Sequence, residues 1–273
     1  MTNSLDKKNS QFWNEPCGTS HYLSVINNNS LYKGELHQYD KYYLELYPYL
    51  NKYIPFQSLK EKTVLEVGLG YGTIAQKIMK SGAVYTGIDV ANGPVDVVKK
   101  RIKLNNLKGT ITVGNILNPK LPLKSFDFII SIGCLHHTGN LSLAVSNCYK
   151  LLKKNGTLIF MVYNQFSYRR FITNPFKFLK FKTYELFGLH KIDPGSYQER
   201  SRYDTNTSKS PPPHTDFVSH KTLKMYCKNF KTFTCKSENI DREFPFIFTS
   251  RKKLLNTIFP KIVGLDLYVT TRK

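Results

Sequence analysis

A hydrophobic strand, a glycine-rich turn and a helix follow one another within residues 63–79. The turn has glycine at every second position: Gly68, Gly70 and Gly72. Ile74 and Ile78 then recur at the spacing of a buried helix face. Glycine lets the backbone adopt positive φ and approach a ligand closely, and a helix N-terminus offers unpaired N–H groups. The segment therefore predicts an α/β fold that binds a nucleotide-sized ligand at this turn.

The spacing of the glycines differs from that of a dinucleotide-binding turn. In the G-x-G-x-x-G fingerprint the last glycine comes where Thr73 stands, and Gly72 comes one place earlier. The E-x-G-x-G-x-G pattern that begins at Glu66 resembles motif I of the class I S-adenosylmethionine-dependent methyltransferases. In that family the glycine loop wraps the methionine and ribose part of the cofactor. The resemblance implies S-adenosylmethionine as cofactor, bound by Glu66 and the three glycines; a purely structural turn is the alternative.

A second strand, residues 83–88, ends at Asp89. This carboxylate comes about 20 residues after the glycine turn, where an acidic residue meets a ribose hydroxyl in such folds. A carboxylate suits that role because it can accept hydrogen bonds from both ribose hydroxyls at once. We therefore expect Asp89, with its neighbour Val90, to bind the cofactor. The alternative is that Asp89 caps the following helix.

A third strand, residues 111–115, runs into a loop at the place of the family's adenine-binding loop. In the family an acidic residue usually accepts a hydrogen bond from the adenine amino group, and the next residue packs on the ring. Asn115 stands at the acidic position, and its side-chain oxygen can still accept such a bond. The resemblance thus implies that Asn115 and Ile116 contact the cofactor, while a surface turn is the alternative.

The strongly apolar strand over residues 125–133 is typical of the centre of a parallel sheet. It leads into the pentapeptide 134–138 (Cys-Leu-His-His-Thr). The combined segment resembles the motif after strand four in a broad methyltransferase group that includes ubiquinone-biosynthesis enzymes. A helix is predicted over 141–154, stopped by an Asn-Gly pair, with a fifth strand over 157–163.

The order of these elements predicts the fold class. Strands that alternate with helices indicate a parallel sheet. The family resemblance implies an α/β, Rossmann-like, doubly wound seven-stranded mixed sheet in the order 3-2-1-4-5-7-6, with an antiparallel last strand. Four parts are predicted: an N-terminal cap or lid segment (1–60), an S-adenosylmethionine-binding core (61–163), a lid insertion after strand five (164–218) and a C-terminal completion of the sheet (219–273).

Two segments outside the core are predicted to cover the substrate. The N-terminal segment places the only tryptophan, Trp13, near His21 and Tyr22, and in many small-molecule methyltransferases such a segment closes over the cofactor. With Tyr163 at the end of strand five, these are the predicted substrate or lid residues; a packed N-terminal arm is the alternative. The insertion contains a basic, aromatic helix (175–187), predicted to pack on the core rather than to stack nucleic-acid bases.

Two adjacent histidines, His136 and His137, follow strand four at the edge where open α/β sheets bind ligands. Imidazole, with an unperturbed pKa of about 6.5, is the natural group to remove a proton from an oxygen or nitrogen acceptor. We expect one of the two to act as that base; the alternative is a loop histidine bonded to backbone. Without a nearby carboxylate cluster they do not form a convincing metal site, and no metal is expected.

Composition limits the classes of partner. The formal net charge of +21 would favour nucleic acid, an acidic membrane surface or an anionic substrate. The excess is mostly lysine and forms no dense basic block, so we attribute it to composition. Five cysteines without C-x-x-C spacing, a polar start and the lack of a long apolar run predict a reducing, cytoplasmic location without a membrane span.

The sequence therefore predicts an S-adenosylmethionine-dependent methyltransferase that transfers the methyl group in line to a small-molecule acceptor. Two alternatives stay open: an RNA-modifying methyltransferase whose basic surface holds phosphates, and a non-catalytic cofactor-binding protein. The sequence names neither the acceptor atom nor the oligomeric state.

Overall fold

A seven-stranded mixed sheet forms the centre of the protein. The computed structural model describes residues 4–19, 22–23 and 31–273. The strands are β1 (Thr63–Val67), β2 (Val84–Asp89), β3 (Thr110–Val113), β4 (Phe126–Ile132), β5 (Leu152–Tyr163), β6 (Thr232–Glu238) and β7 (Asp266–Arg272). They lie in the order β3-β2-β1-β4-β5-β7-β6, with β1 to β5 parallel and β7 antiparallel to both neighbours. The predicted fold class and strand order are confirmed.

Helices connect the strands and extend the core at both termini. In chain order the helices of the described residues are α1 (Ser4–Phe12), α2 (Lys33–Leu46), α3 (Leu50–Tyr53), α4 (Thr73–Lys80), α5 (Asn92–Asn105), α6 (Leu141–Leu151), α7 (Tyr168–Thr173), α8 (Pro175–Leu186), α9 (Tyr197–Ser201), α10 (His220–Tyr226), α11 (Arg251–Leu255) and α12 (Phe259–Val263). Short 3-10 turns occupy Phe56–Ser58, Leu135–His137 and Phe246–Phe248. In the described part of the chain, no helix combines the length and the apolar character that crossing a bilayer requires.

Helices cover both faces of the sheet, as a buried parallel sheet requires. Leu65 of β1 belongs to a cluster with Val145 of α6 on one face. Its neighbour Val64 belongs to a second cluster with Ile78 of α4 and Leu50 of α3 on the other. The alternation along β1 therefore determines which helices pack on which face. The carboxyl ends of the strands are the edge where open α/β sheets bind ligands.

The passage from α6 to β5 differs from the predicted one. The helix ends at Leu151 and the strand begins at Leu152, so residues 155 and 156 lie inside the strand. Both leucines are fully buried, and Leu152 pairs with Phe126 before the register of β4 and β5 shifts. Asn155 adopts a φ of +65° within this irregular stretch. Burial of the leucines, rather than the Asn-Gly pair, sets the boundary.

The segment after β5 is held together by a buried ion network. Arg170 of α7 pairs with Asp193 and with Glu199 of α9, and Lys177 bonds the same two acids at 2.9 and 2.7 Å. The side chains of Arg170, Asp193 and Glu199 are at most 6% exposed. Arg169, also buried, forms two further ion pairs. Both arginines of the basic, aromatic stretch are therefore buried and paired with carboxylates.

The predicted packing of α8 on the core is wrong. None of its residues is buried, and the side chains of Phe176 and Leu186 are 85% and 80% exposed. Helical spacing identifies an apolar face, but only tertiary structure decides whether another element covers it.

Candidate functional site

The glycine turn between β1 and α4 has the backbone conformation that its composition requires. Gly68, Gly70 and Gly72 have φ values of +83°, +48° and +74°, in the left-handed region where side chains are strained. A Cβ on Gly68 would lie 2.5 Å from the Cβ of Cys134, and one on Gly72 would lie 2.7 Å from Val98. A Cβ on Gly70 would meet only the Cys17 carbonyl, at 3.9 Å. The turn is thus closely packed at its ends and open at its middle.

Replacing Gly68 by alanine is expected to destabilise the protein by about 1–3 kcal/mol, because a left-handed alanine is strained and its methyl group overlaps Cys134. We expect at least a tenfold loss of affinity for S-adenosylhomocysteine, measured by calorimetry. Gly34→Ala is the control: this helical position has no atom within 4 Å of an added Cβ, and the substitution is expected to stabilise by about 0.5–1 kcal/mol. Equal affinities in the two variants would contradict the role of the turn.

Asp89 ends β2 next to the glycine turn. Its Oδ2 accepts from the Leu69 N–H at 2.8 Å, and its Oδ1 accepts from the Ala91 N–H at 3.0 Å. A carboxylate can accept about four hydrogen bonds, so Asp89 keeps acceptor capacity for a ligand. Burial raises the pKa of Asp89 to about 6, against the opposing effect of these backbone donors. The carboxylate is therefore oriented before any ligand arrives, and Val90 after it lines the same cavity.

Affinity for S-adenosylhomocysteine is expected to fall as the pH drops below about 6, because a protonated Asp89 has one acceptor fewer for the ribose hydroxyls. The limiting slope is about tenfold per pH unit, measured by calorimetry between pH 5 and 8. Asp89→Asn should bind weakly at every pH and abolish the slope. A wild-type affinity that does not vary over this range would refute the assignment.

The loop after β3 holds the two residues expected near adenine. Asn115 and Ile116 line the same cavity as the glycine turn. The side-chain oxygen of Asn115 accepts from the Leu117 N–H at 2.8 Å, which leaves one lone pair for a ligand. Asn147 of α6 donates to the Ile116 carbonyl at 2.9 Å and so fixes the loop.

These elements enclose a first cavity at the carboxyl ends of β1, β2 and β4. Its wall includes Glu66 and the glycine turn as well as Asp89 and Asn115. Tyr85 donates a short hydrogen bond to Glu66, which is 2% exposed. Burial raises the pKa of Glu66 to about 8. The cofactor residues expected from the sequence are therefore brought together around one space.

The N-terminal arm closes one side of this cavity. Asn9 of α1 donates to the His137 carbonyl at 2.8 Å, and the Gly93 N–H donates to the side chain of Asn14 at 3.0 Å. The Trp13 ring lies 4.8 Å from the His137 ring and contributes to the wall. The arm thus contacts the loop after β4 and the start of α5.

A buried salt bridge fixes α2 beside the glycine turn. The two carboxylate oxygens of Asp40 accept from Arg101 of α5 at 2.8 and 2.9 Å. Asp40 also accepts from Thr73 at 2.6 Å and from Gln76 at 3.0 Å, both in α4. Arg101 is completely buried. One carboxylate therefore ties the N-terminal segment to the helix that follows the turn.

The other predicted lid residues have different positions. Tyr22 is fully buried and stacks on Tyr71 at 4.6 Å, outside the wall of either cavity described here. Tyr163 lines both cavities. His21 lies outside the described residues.

The two histidines after β4 have unlike surroundings. His136 is fully buried, lines neither cavity and has no hydrogen-bond partner on either ring nitrogen among the described residues. Its ring packs against His137 and Tyr163, at 4.1 and 4.3 Å between centroids. Burial lowers its pKa well below the ordinary value. His137 lines the first cavity.

The orientation of the His137 ring is set by a backbone carbonyl. Nδ1 lies 2.8 Å from the His214 carbonyl oxygen, which can only accept, so Nδ1 donates there. In the neutral ring Nε2 then carries the lone pair. Nε2 has no hydrogen-bond partner in the described chain and lies 3.5 Å from Oδ2 of Asp204. The geometry provides a proton acceptor next to a carboxylate.

Asp204 was not expected from the sequence. It lies in the insertion after α9, lines both cavities and accepts from the Tyr163 hydroxyl at 2.7 Å. Its place in a polar, irregular passage gives no periodic signal. Only the fold brings it to His137, 67 positions earlier in the chain.

A second cavity of about 400 Å³ adjoins the first one. The two share wall residues that include Trp13, Cys17, Tyr43, Tyr163 and Asp204. Aromatic side chains from α2 and the insertion supply much of the second wall. Across the described ranges, no group of three or more His, Cys, Asp and Glu side chains is placed to hold a metal ion.

Comparison with known proteins finds similarity to methyltransferases. Residues 65–160 match the family model described as a methyltransferase domain. Over 128 residues the chain is 34% identical to the ubiquinone biosynthesis O-methyltransferase of Histophilus somni, covering 44% of this chain and 54% of that protein. The demethylmenaquinone methyltransferase of Tropheryma whipplei is 30% identical over 138 residues, with coverages of 50% and 55%. These similarities support a class I S-adenosylmethionine-dependent methyltransferase, with the methyltransferase domain matched over residues 65–160. The chain spans about half the length of the curated relatives it matches.

Solved structures of methyltransferases share the fold. An S-adenosylmethionine-dependent methyltransferase from Mesorhizobium loti aligns with a TM-score of 0.56 at 14% identity, over 83% of this chain and 97% of that one. Phosphoethanolamine N-methyltransferase 2 of Haemonchus contortus, in complex with S-adenosylmethionine, gives 0.60 at 14% identity, over 100% and 60%. At these identities the likeness concerns the fold alone.

Proposed function

We propose that this methyltransferase transfers the methyl group of S-adenosylmethionine to a small molecule bound in the second cavity. The observation that carries the proposal is the shared wall between the two cavities, which includes Asp204, 3.5 Å from His137 in the wall of the first cavity. Such an arrangement brings two ligands side by side, and alignment of the reactants is the main requirement of an in-line displacement.

The first cavity fits the cofactor of the family. Close packing at Gly68 and Gly72 leaves no room for side chains, while the backbone at Gly70 is open to a ligand. Asp89 offers the lone pairs that ribose hydroxyls need, and Asn115 offers one for adenine. We assign cofactor binding to Glu66, Gly68, Gly70, Gly72, Asp89, Val90, Asn115 and Ile116. When bound, the cofactor supplies an electrophilic methyl group.

The chain's own residues would handle the proton. We assign the base to His137 rather than His136, because His137 lines the first cavity and its Nε2 carries a lone pair that no other group uses among the described residues. Asp204, 3.5 Å away, would stabilise the imidazolium that forms. Trp13 and Tyr163 would hold the acceptor and limit the access of water. His136 would support the ring of Tyr163 by packing alone.

The names of the relatives support a small acceptor. The two curated relatives are named for ubiquinone biosynthesis and for demethylmenaquinone. In contrast, Arg169 and Arg170 are paired with carboxylates inside the protein, and this disfavours their use as an RNA-binding surface.

The proposal is tested in two steps. Calorimetry with S-adenosylhomocysteine asks whether the first cavity binds cofactor. Incubation with methyl-labelled S-adenosylmethionine, first with metabolite extract and then with total RNA, asks which class of molecule takes the label. Label in a small molecule supports the proposal; label in RNA, or binding without transfer to either, rejects it. Failure to bind S-adenosylhomocysteine rejects the cofactor assignment as well.

A further inference from the structure

We propose that the second cavity binds its methyl acceptor as a cation, and that the acceptor is an amine methylated on nitrogen. This inference rests on the proposed function and adds the chemical class of the acceptor. It is carried by two carboxylates that have no lysine or arginine partner among the described residues and lie in an aromatic wall, with one of them 3.5 Å from the proposed base.

The two carboxylates belong to Asp204 and Asp266. Both line the cavity, and within the described chain neither pairs with a lysine or an arginine. Asp266 is 1% exposed; its Oδ2 accepts from Asn239 at 2.9 Å, and its Oδ1 has no protein donor among the described residues. Oδ1 of Asp204 has only the Cys17 thiol, at the weak distance of 4.0 Å. Each carboxylate thus keeps an oxygen for a ligand.

Tyr163 connects the two carboxylates. Asp266 is its direct partner in the antiparallel pair of β5 and β7, so the two side chains leave the same face of the sheet. The Tyr163 hydroxyl donates to Asp204. Burial raises the pKa of Asp266 to about 8, and the hydrogen bond from Asn239 and the charge of Arg169 offset this only in part. A bound cation would lower the pKa of Asp266 again and would interact with both carboxylates.

Arg169 and Arg251 in the cavity wall form their ion pairs with acids other than Asp204 and Asp266. Arg169 donates to Glu243, to Asp241 and to a backbone carbonyl. Arg251 donates to Asp241, to the Asn239 side chain and to another backbone carbonyl. Both guanidinium groups therefore have partners on all their nitrogen atoms. The acids that form ion pairs with these arginines are Asp241 and Glu243, not the two acids proposed to bind the ligand.

The remaining wall suits a cation as well. Trp13, Tyr43, Tyr47, Tyr163 and Tyr203 contribute aromatic rings, and ring faces attract ammonium groups. Tyr203 already holds one cation, the Arg169 guanidinium, 4.6 Å from its centroid. An anionic acceptor would instead be repelled by the Asp204 carboxylate and would keep Asp266 in its protonated form, in spite of the net charge of +21 on the whole chain.

Methylation of an amine requires one proton acceptor and one methyl donor, and the site has a candidate for each. The acceptor binds as an ammonium ion and gives one proton to Nε2 of His137, which frees the nitrogen lone pair. The nitrogen forms a bond to the methyl carbon while the carbon–sulfur bond breaks and sulfur keeps that electron pair. The products are the methylated ammonium ion and S-adenosylhomocysteine. His137 releases its proton to solvent when the cavity opens.

The test measures binding to protein saturated with S-adenosylhomocysteine, so that no sulfonium charge is present. Three probes with one ring and similar spacers differ in charge: 2-phenylethylamine, 2-phenylethanol and 3-phenylpropionate. We expect the amine to bind at least tenfold more tightly than the alcohol and the carboxylate to bind most weakly. Asp266→Asn should reduce the preference for the amine to below threefold. Glu243→Gln, which removes a nearby charge outside the cavity wall, should retain it.

Equal affinities for amine and alcohol, preference for the carboxylate, or no binding of any probe at millimolar concentration would overturn the amine assignment. So would an Asp266→Asn variant that weakens S-adenosylmethionine alone, since the acid would then serve the sulfonium. In each case binding of S-adenosylhomocysteine and transfer to a small molecule would leave the proposed function standing. If Asp266→Asn does not fold, Asp204→Asn provides the same comparison of probes.

Discussion

Replacing His137 by glutamine is expected to lower kcat by about 100- to 10,000-fold, the usual contribution of a positioned general base. The substitution keeps a side chain that can donate to the His214 carbonyl but removes the titratable nitrogen that faces Asp204. Affinity for S-adenosylhomocysteine should stay within about threefold of wild type, because His137 lines the cavity but is not among the residues proposed to hold the cofactor. The measurement is steady-state turnover of the labelled acceptor, with calorimetry on the same preparation.

His136→Phe is the matched control. His136 is as buried as its neighbour and stacks on the same tyrosine, but its nitrogens face neither cavity. Phenylalanine keeps the ring contact and removes both titratable atoms, so kcat should change by less than about threefold. A large loss in this variant together with full activity in His137→Gln would reverse the assignment of the base.

The pH profile separates a base from a packing residue. If His137 takes the proton, wild-type kcat should fall on the acidic side, where the imidazole is already protonated. The residual activity of His137→Gln should lack that acidic limb. A variant that is merely misfolded would lose activity without a change in the shape of its profile.

The glycine turn could be predicted because local chemistry dictates it, whereas the strand order follows from the resemblance to the methyltransferase family. Gly68 and Gly72 adopt backbone angles that other residues resist, and Asp89 ends a strand adjacent to the turn. Alternation of apolar strands with helices then leaves few topologies, since parallel crossovers share one hand. These features depend on residues near one another in the sequence.

Asp204 and Asp266 could not be predicted in the same way. Asp204 follows a five-residue helix in an insertion, and Asp266 begins the last strand. Nothing in their local sequence separates them from the exposed acids of the chain. Their meaning comes from burial and from contacts across the fold, with Tyr163 as the common neighbour. The wrong prediction for α8 has the same cause. Its apolar residues can be recognised in the sequence, but whether another element covers them cannot.

The role of the N-terminal segment could be predicted only in part. Its aromatic residues were expected to cover the ligand, and Trp13 does line both cavities. The group that anchors the segment is instead Asp40, an acid on the helix α2. The sequence around Asp40 does not indicate that this carboxylate pairs with Arg101, 61 positions later in the chain, or that Arg101 is buried.

Replacing Asp40 by asparagine is expected to lower the free energy of unfolding by about 3–5 kcal/mol, because it leaves the buried Arg101 guanidinium without a counter-charge. Urea unfolding measures the loss. Since Asp40 also holds Thr73 and Gln76 at the start of α4, affinity for S-adenosylhomocysteine should fall in parallel. Lys153→Met is the control: its ion pair with Asp127 is 39% and 28% exposed, and its loss should cost less than about 1 kcal/mol.

A double variant shows whether charge or shape is responsible for the effect. Asp40→Leu combined with Arg101→Met removes both charges and keeps apolar volume between α2 and α5, so it should recover much of the stability lost by Asp40→Asn. Affinity for S-adenosylhomocysteine should recover less, because Thr73 and Gln76 still lack their acceptor. Should Asp40→Asn cost no more than Lys153→Met, the salt bridge does not hold α2 in place, and the hydrophobic contacts of the segment must do so instead.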